Sequence, residues 1–328
     1  MAKFEEGIAA AVRSSVLDDI FRANRLSNGE IFYVCDSADP DFGKVVERYG
    51  KKRVFTDVQT AHDNMTSNRN DICFISGYTE HVLSAMWTIT KSRCHFIGIG
   101  VGNRRYGLPT KITMPVTTAA TDVFAVKNFG GTRNTFMNIK FINNNTVAQN
   151  IGCFGEGAEY TNFVNCEFYD STDLNSDTHA ELILNGDSTQ FSNCTIGSLA
   201  DAVSGNHVRP GILLTKGTVG AGLVCRDVLF DNCRFWKQAG GTTTAMVKST
   251  TATDVERVME FHDCQFVANP LGSTPAVAIA CAATLTVGMI ILTGDTCAFN
   301  CTKIATATGV FSGLTAKVAT ATIGLQAS

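Results

Sequence analysis

The chain has 328 residues, of which 45% are hydrophobic and 17% charged, with a net charge of −3. Phosphate binding needs clustered Lys and Arg, and no basic run occurs, so no nucleic-acid partner is expected. Twelve cysteines contain no CxxC pair, so a zinc site has no anchor. No P-loop, dinucleotide fingerprint or nucleophile motif is present either, and no cofactor is expected.

Phe4, Ile8, Val12, Val16 and Ile20 form an apolar stripe at helical spacing in residues 1–28. Two readings stay open: a helix capping a larger body, or an arm that docks on a partner. The first residues are acidic where a signal peptide is basic, so no secretion signal is expected. Residues 29–34 read as a strand. Asp36, Asp39 and Asp41 offer oxygen ligands, but without the glycine and terminal Glu of a calcium loop they read as a solvated turn. Residues 55–67 read as an amphipathic helix with Phe55, Val58, Ala61 and Met65 on one side. Strands follow near 71–76 and 94–98.

A phrase then recurs five times: FMNIKF at 136–141, FVNCEF at 163–168, FSNCTI at 191–196, FDNCRF at 230–235 and FHDCQF at 261–266. A worn sixth copy is TCAF at 296–299. The steps between equivalent positions 139, 166, 194, 233, 264 and 297 are 27, 28, 39, 31 and 33 residues. Such a period marks a stack of supersecondary units, each burying its apolar face on its neighbours. The fourth and sixth positions are apolar and the fifth polar, which is strand alternation. A second strand is predicted before each phrase, at 124–126, 151–154, 182–184, 212–214, 245–247 and 277–279. Two strands and a variable turn per coil are therefore expected.

Equivalent residues in successive coils become ladders about 4.8 Å apart. Asn138, Asn165, Asn193, Asn232 and Asp263 form one, at a bend that tolerates left-handed backbone. Cys166, Cys194, Cys233 and Cys264 form another, expected as a column of free buried thiols. Free thiols imply folding in a reducing compartment. Residues 275–292 lack charge but fall in register, so they read as two buried strands and not a membrane span.

The pattern resembles the right-handed parallel β-helix of the pectate-lyase-like superfamily, over roughly residues 29–310. The opening is similar too: a helix, then a strand, GYTE at 77–80, and a strand ending Ile97-Gly98. The resemblance implies an all-β right-handed parallel β-helix with an inward Asn ladder, preceded here by the N-terminal amphipathic helix. Four segments are expected: a helical arm or cap at 1–28, opening strands and capping helix at 29–110, solenoid coils at 111–310, and an Ala/Thr-rich tail at 311–328. The tail is nearly uncharged and is expected to pack on its own solenoid or a neighbouring subunit.

Enzymes of this fold cut polysaccharides with grouped carboxylates. Glycosidic hydrolysis uses two carboxylates about 5–9 Å apart. Weak candidates are Glu156, Glu159, Asp173, Asp177 and His179, against the plainer reading of a polar, solvated loop. His207 and Arg209 read as surface loop. Two function classes result. One is a structural virion protein of a tailed bacteriophage, a capsid-decoration or spike-like subunit. It would be made in the host cytoplasm, form homotrimers, and contact phage capsid or tail proteins. The other is a polysaccharide lyase or hydrolase (a phage depolymerase) acting on a host surface glycan.

Overall fold

A computed structural model describes residues 29–100, 110–115, 124–146, 151–171, 176–197, 209–215, 219, 223–237, 245–268, 277–281, 284–294, 297–300, 303–305 and 310–312. The N-terminal stripe, Asp173, His207 and nearly all of the Ala/Thr tail lie outside these residues.

Three parallel sheets stack along one axis: sheet A with 11 strands, and sheets B and C with 8 each. Each coil visits them in turn. Thr135–Met137 lies in A, Lys140–Asn143 in B and Gly152–Glu156 in C, and the next coil restarts in A with Asn162–Val164. The expected two strands per coil are thus three. The repeated phrase is itself two strands joined at a corner. Its alternation continues through the corner because one residue takes left-handed backbone, which keeps Phe136, Ile139 and Phe141 all facing inward and buried.

That residue is the predicted ladder position. Asn138, Asn165, Asn193, Asn232 and Asp263 have φ of 57°, 50°, 56°, 50° and 50°. The Asn165 amide donates to Asn138 Oδ1 at 2.7 Å, and that of Asn232 to Asn193 Oδ1 at 2.7 Å. The ladder does not face inward as the resemblance implied. Its side chains sit half-buried or exposed at the A–B corner, because left-handed backbone turns Cβ away from the axis.

The interior is built by stacking like on like. Phe136, Phe163, Phe191, Phe230 and Phe261 follow each other with ring centroids 5.0, 4.7, 4.5 and 4.9 Å apart and planes within 13°. One strand spacing sets that distance. Cys166, Cys194, Cys233 and Cys264 form the buried column beside them. Each thiol donates to a Phe carbonyl of the preceding coil: Phe136 at 3.4 Å, Phe163 at 3.5 Å, Phe191 at 3.4 Å and Phe230 at 3.3 Å. All eleven described cysteines are free. The uncharged stretch near the C-terminus forms Val277–Cys281 in sheet C and Gly288–Thr293 in sheet A. The worn sixth phrase also pairs in register, Phe266 with Phe299.

At the opening, helix α1 (Phe42–Tyr49) was not expected. It packs Val45 against Tyr33, Cys35 and Val54, covering the first strand of sheet A. Helix α2 (Val58–Asn64) starts later than predicted. Asp57 caps it by accepting from Thr60 N–H at 2.7 Å, and Phe55 belongs to a two-residue strand beside Ile31–Val34. Val58, Ala61 and Met65 are buried as expected. Among the described residues no helix is long and apolar enough to cross a membrane.

A second left-handed ladder lies at the C–A corner. Arg93, Arg133, Tyr160, Ser188, Asp227 and Arg257 have φ of 54°, 59°, 56°, 52°, 49° and 62°. Main-chain bonds along the axis hold it: Arg133 N–H to the Glu159 carbonyl at 2.9 Å, Tyr160 to Asp187 at 2.8 Å, and Ser188 to Arg226 at 2.7 Å.

Candidate functional site

The three corners differ in what they carry. In each of the five phrase coils the A–B corner spans two residues, as at Asn138 and Ile139. The B–C and C–A corners absorb the insertions that make the steps uneven. In the longest coil the B–C corner runs from Gly197 to Ile212. Chemistry-bearing side chains gather where sheet B passes into sheet C.

There four charges are buried together. Asp170 ends a sheet B strand, Glu181 is second in the sheet C strand Ala180–Leu184, Arg209 precedes Ile212–Leu214, and Lys237 ends a strand one coil further on. Their side chains are 2%, 4%, 2% and 5% exposed. The Arg209 guanidinium lies 3.3 Å from Asp170 Oδ1 and 3.6 Å from Glu181 Oε1, and it donates to the Asp170 carbonyl at 2.9 Å. Lys237 Nζ donates to Glu181 Oε1 at 2.9 Å. Asn143, one coil earlier, donates to Asp170 Oδ2 at 2.9 Å. Two anions and two cations sum to zero, the condition under which buried charge is tolerated. Burial holds the Lys237 ammonium below its ordinary pKa, with Glu181 opposing. The cluster clips three successive coils together at the corner that carries the insertions. Arg209 is therefore core, not surface loop.

The five candidate residues do not form one site. Glu156 is fully buried at the opposite, C–A end of its strand. Its Oε1 accepts from Ala158 N–H at 2.9 Å and from the Thr161 hydroxyl at 3.1 Å, and its Oε2 accepts from Asn128 Nδ2 at 2.9 Å. Burial pushes its carboxyl up to about 7 against these three bonds. Glu159 bridges to Asp187, which bridges to Arg226. Arg226 pairs with Asp187 at 3.1 Å and Glu256 at 2.5 Å, forming a charged ladder on the surface. Asp177 is exposed and lies 2.7 Å from Lys248, whose hydrogen bond and charge hold it below the usual carboxylate range. His179 is buried.

Glu156 pairs in register with Leu184, whereas Asp177 precedes Ala180. The Glu156 carboxyl is buried and tied into its turn, whereas that of Asp177 is exposed and paired with Lys248, so the two do not open on one common site.

The early aspartates are turn-formers: Asp36 accepts from Ala38 N–H at 2.8 Å, Asp39 from Asp41 N–H at 2.9 Å and from Ser76 Oγ at 2.6 Å. Among the described residues no group of three or more His, Cys, Asp or Glu side chains converges on a metal-sized site.

The outer face of sheet B is the other feature of note. Tyr169 and Trp236 are half-buried there, with the Lys140 ammonium 5.2 Å from the Tyr169 ring and the Arg234 guanidinium 5.7 Å from the Trp236 ring.

No family model matches the chain, and no curated protein sequence does. Solved structures match in shape. A pectin methylesterase from Aspergillus niger aligns with a TM-score of 0.52 and 13% identity, over 89% of this chain and 88% of that one. A pectin methylesterase in complex with a hexasaccharide aligns with a TM-score of 0.50 and 11% identity, over 88% and 90%. A protein of Geobacillus virus E2 gives a TM-score of 0.35 at 14% identity over 79% and 59%, too loose a fit to bear on fold or chemistry. At such identities the likeness fixes the path of the chain and not its chemistry: this is a right-handed parallel β-helix of the pectate-lyase-like fold.

Proposed function

We propose that the chain is a structural virion protein of a tailed bacteriophage, a capsid-decoration or spike-like subunit. The observation that carries this reading is the interior column of reduced thiols. Thiols stacked one strand apart persist when the protein folds in a reducing compartment, and particle subunits are made in the host cytosol and released by lysis. The engagement of the carboxylates, candidates and others alike, supports it as well. Glu156 is tied into a turn, Glu181 and Asp170 are neutralised, and Asp177 is paired. Residues 1–28 are proposed as the docking arm and a homotrimer as the assembly, its C-terminal tail a second contact.

Mass spectrometry of purified particles tests the reading, and absence of the chain from them overturns it. Light scattering tests the trimer, which a monomer at micromolar concentration refutes. Deletion of residues 1–28 is expected to leave a folded solenoid that no longer binds particles.

The second reading is a phage depolymerase, favoured by the exposed carboxylate of Asp177 in the insertion at 171–179 and by the aromatic face of sheet B. On the first reading the isolated protein cleaves no polysaccharide. Depolymerisation of a host glycan that is lost in Asp177→Ala would establish the second.

A further inference from the structure

Cys166, Cys194, Cys233 and Cys264 hold one position in four successive coils, and all four are buried. Their sulfurs repeat a single geometry. Besides the Phe carbonyl of the preceding coil, each thiol lies close to the carbonyl two residues back in its own coil. These are Val164 at 3.6 Å, Ser192 at 3.5 Å, Asp231 at 3.4 Å and His262 at 3.4 Å. Two carbonyls thus fix each sulfur, and successive sulfurs inherit the strand spacing of about 4.8 Å. Neighbouring thiols act on one another, Cys194 on Cys166 and both Cys194 and Cys264 on Cys233. The flanking inward side chains are apolar, Phe163 and Phe168 beside Cys166, Phe230 and Phe235 beside Cys233. Fully buried Ile139 closes the column at one end. At the other end Cys297 continues it and is partly exposed, its thiol 4.0 Å from the Phe261 carbonyl.

A straight line of sulfurs is the wrong shape for a tetrahedral ion, which takes four converging ligands. Among the described residues no three His, Cys, Asp or Glu side chains converge. The line suits an ion that takes two sulfurs at 180°. Two metal–sulfur bonds of about 2.3 Å laid end to end span about 4.6 Å, within a few tenths of an ångström of one strand spacing. Thiolate sulfur selects soft cations. The apolar surroundings set the charge, because they penalise any net ion. A divalent cation that replaces both thiol protons leaves a neutral sulfur–metal–sulfur unit. Two S–H bonds break, two metal–sulfur bonds form, both protons pass to solvent, and no electron moves. A monovalent cation between two thiolates would leave a buried negative charge.

We propose that the thiol column is a binding site for soft divalent cations of linear coordination, each ion bridging two successive coils. The class is represented by Hg(II). One ion between Cys166 and Cys194 and one between Cys233 and Cys264 use all four thiols of the column. Two thiols preset one above the other act as a chelate, since the second bond forms at high effective concentration. The partly exposed Cys297 gives the ion a point of entry. The inference needs reduced thiols but no virion, so it stands or falls separately from the search for the protein in particles.

Reduced full-length protein is loaded with mercuric chloride, dialysed against a monothiol competitor, and assayed for bound metal and for β structure by circular dichroism. Cys194→Val combined with Cys264→Val leaves Cys166, Cys233 and Cys297 without a neighbouring thiol in the column. The wild type is expected to retain about two ions more than this double variant, and Cys194→Val alone to lose about one. The single variant decides the matter if the double variant does not fold. Cys35→Val, outside the column, retains as much metal as the wild type. X-ray absorption of the loaded wild type shows two sulfur neighbours and no nitrogen around the metal, and Zn(II) is removed by the same dialysis. Equal retention by wild type and column variants, three or more sulfurs around the metal, Zn(II) held as firmly as Hg(II), or loss of β structure on loading overturns the proposal.

Discussion

Glu156→Gln is expected to abolish most of the dependence of stability on pH between about 4.5 and 7. The carboxyl is fully buried, no cation among the described residues pairs with it, and burial raises its pKa from 4.5 to about 7. The folded protein therefore holds a proton that the unfolded chain releases. Stability from this group is fully present below pH 4.5 and is lost as pH rises through about 7. At about 1.4 kcal/mol per pKa unit, the loss is on the order of 3 kcal/mol by pH 8. Glutamine stays neutral and keeps Oε1 for Ala158 N–H and Thr161. Its amide meets Asn128, whose Oδ1 is buried without a partner among the described residues, so rotating the Asn128 amide by a half-turn offers an acceptor. Urea denaturation at half-unit steps from pH 4.5 to 8.5 measures both proteins. The wild type loses stability across the window, and the variant runs nearly flat and is the more stable at pH 8. Parallel profiles for the two would refute the assignment.

Three further outcomes follow from the ladders and the buried charges. Titration of the denatured, unreduced protein finds at least eleven reactive thiols. The native protein at pH 8 reacts slowly, because burial pushes thiols such as Cys94 up to about 12; a mostly oxidised chain would refute the thiol column. Asn193→Leu costs about 2–3 kcal/mol, from the lost ladder bond and left-handed strain on a branched side chain, whereas Ser192→Ala nearby costs under about 0.5 kcal/mol; equal effects would sink the corner argument. Lys237→Met costs about 3–5 kcal/mol by taking the nearer of its two cations from buried Glu181 and leaving the cluster with an excess negative charge. Adding Glu181→Leu recovers much of that, and additive losses in the double variant would show that the pair is not coupled.

The sequence announced the coil through one tolerant residue type. Asn accepts left-handed backbone, so its recurrence marked the A–B corner, and the Phe and Cys positions followed from period two. The C–A corner left no such mark. Arg93, Arg133, Tyr160, Ser188 and Arg257 share no preference for positive φ, because main-chain bonds to the next coil select that geometry whatever the side chain. The third strand per coil was hidden for the same reason, since one left-handed residue carries the alternation through the two-residue corner without a break. Helix α1 has a short apolar stripe that follows three aspartates, and the aspartates dominated the local reading.

The buried charges were legible in principle. Asn143, Asp170 and Lys237 each stand two residues after an inward Phe, at Phe141, Phe168 and Phe235, and so face inward. Arg209 carried no comparable signal, because its insertion has no register of its own. Glu156 looked like a loop acid among glycines. Those small residues are what let the turn fold back over it, and a Cβ on Gly157 would lie 2.8 Å from Asn185 Oδ1.

The direction of the hydrogen bonds has a mechanical consequence. Every sheet bond runs along the solenoid axis, while the covalent chain circles it. A load that presses on the ends is carried by stacked rings and closely packed strands across the whole section, which have little room to shorten. A load that pulls one chain end outward meets only the last turn, whose bonds part a few at a time before the next turn is reached. The molecule is a rod that resists crushing and bending but peels from its tips. Its strength under tension therefore resides in whatever secures the two ends, and a fastening at either end would raise the force needed to unravel it far more than any added contact along its flank.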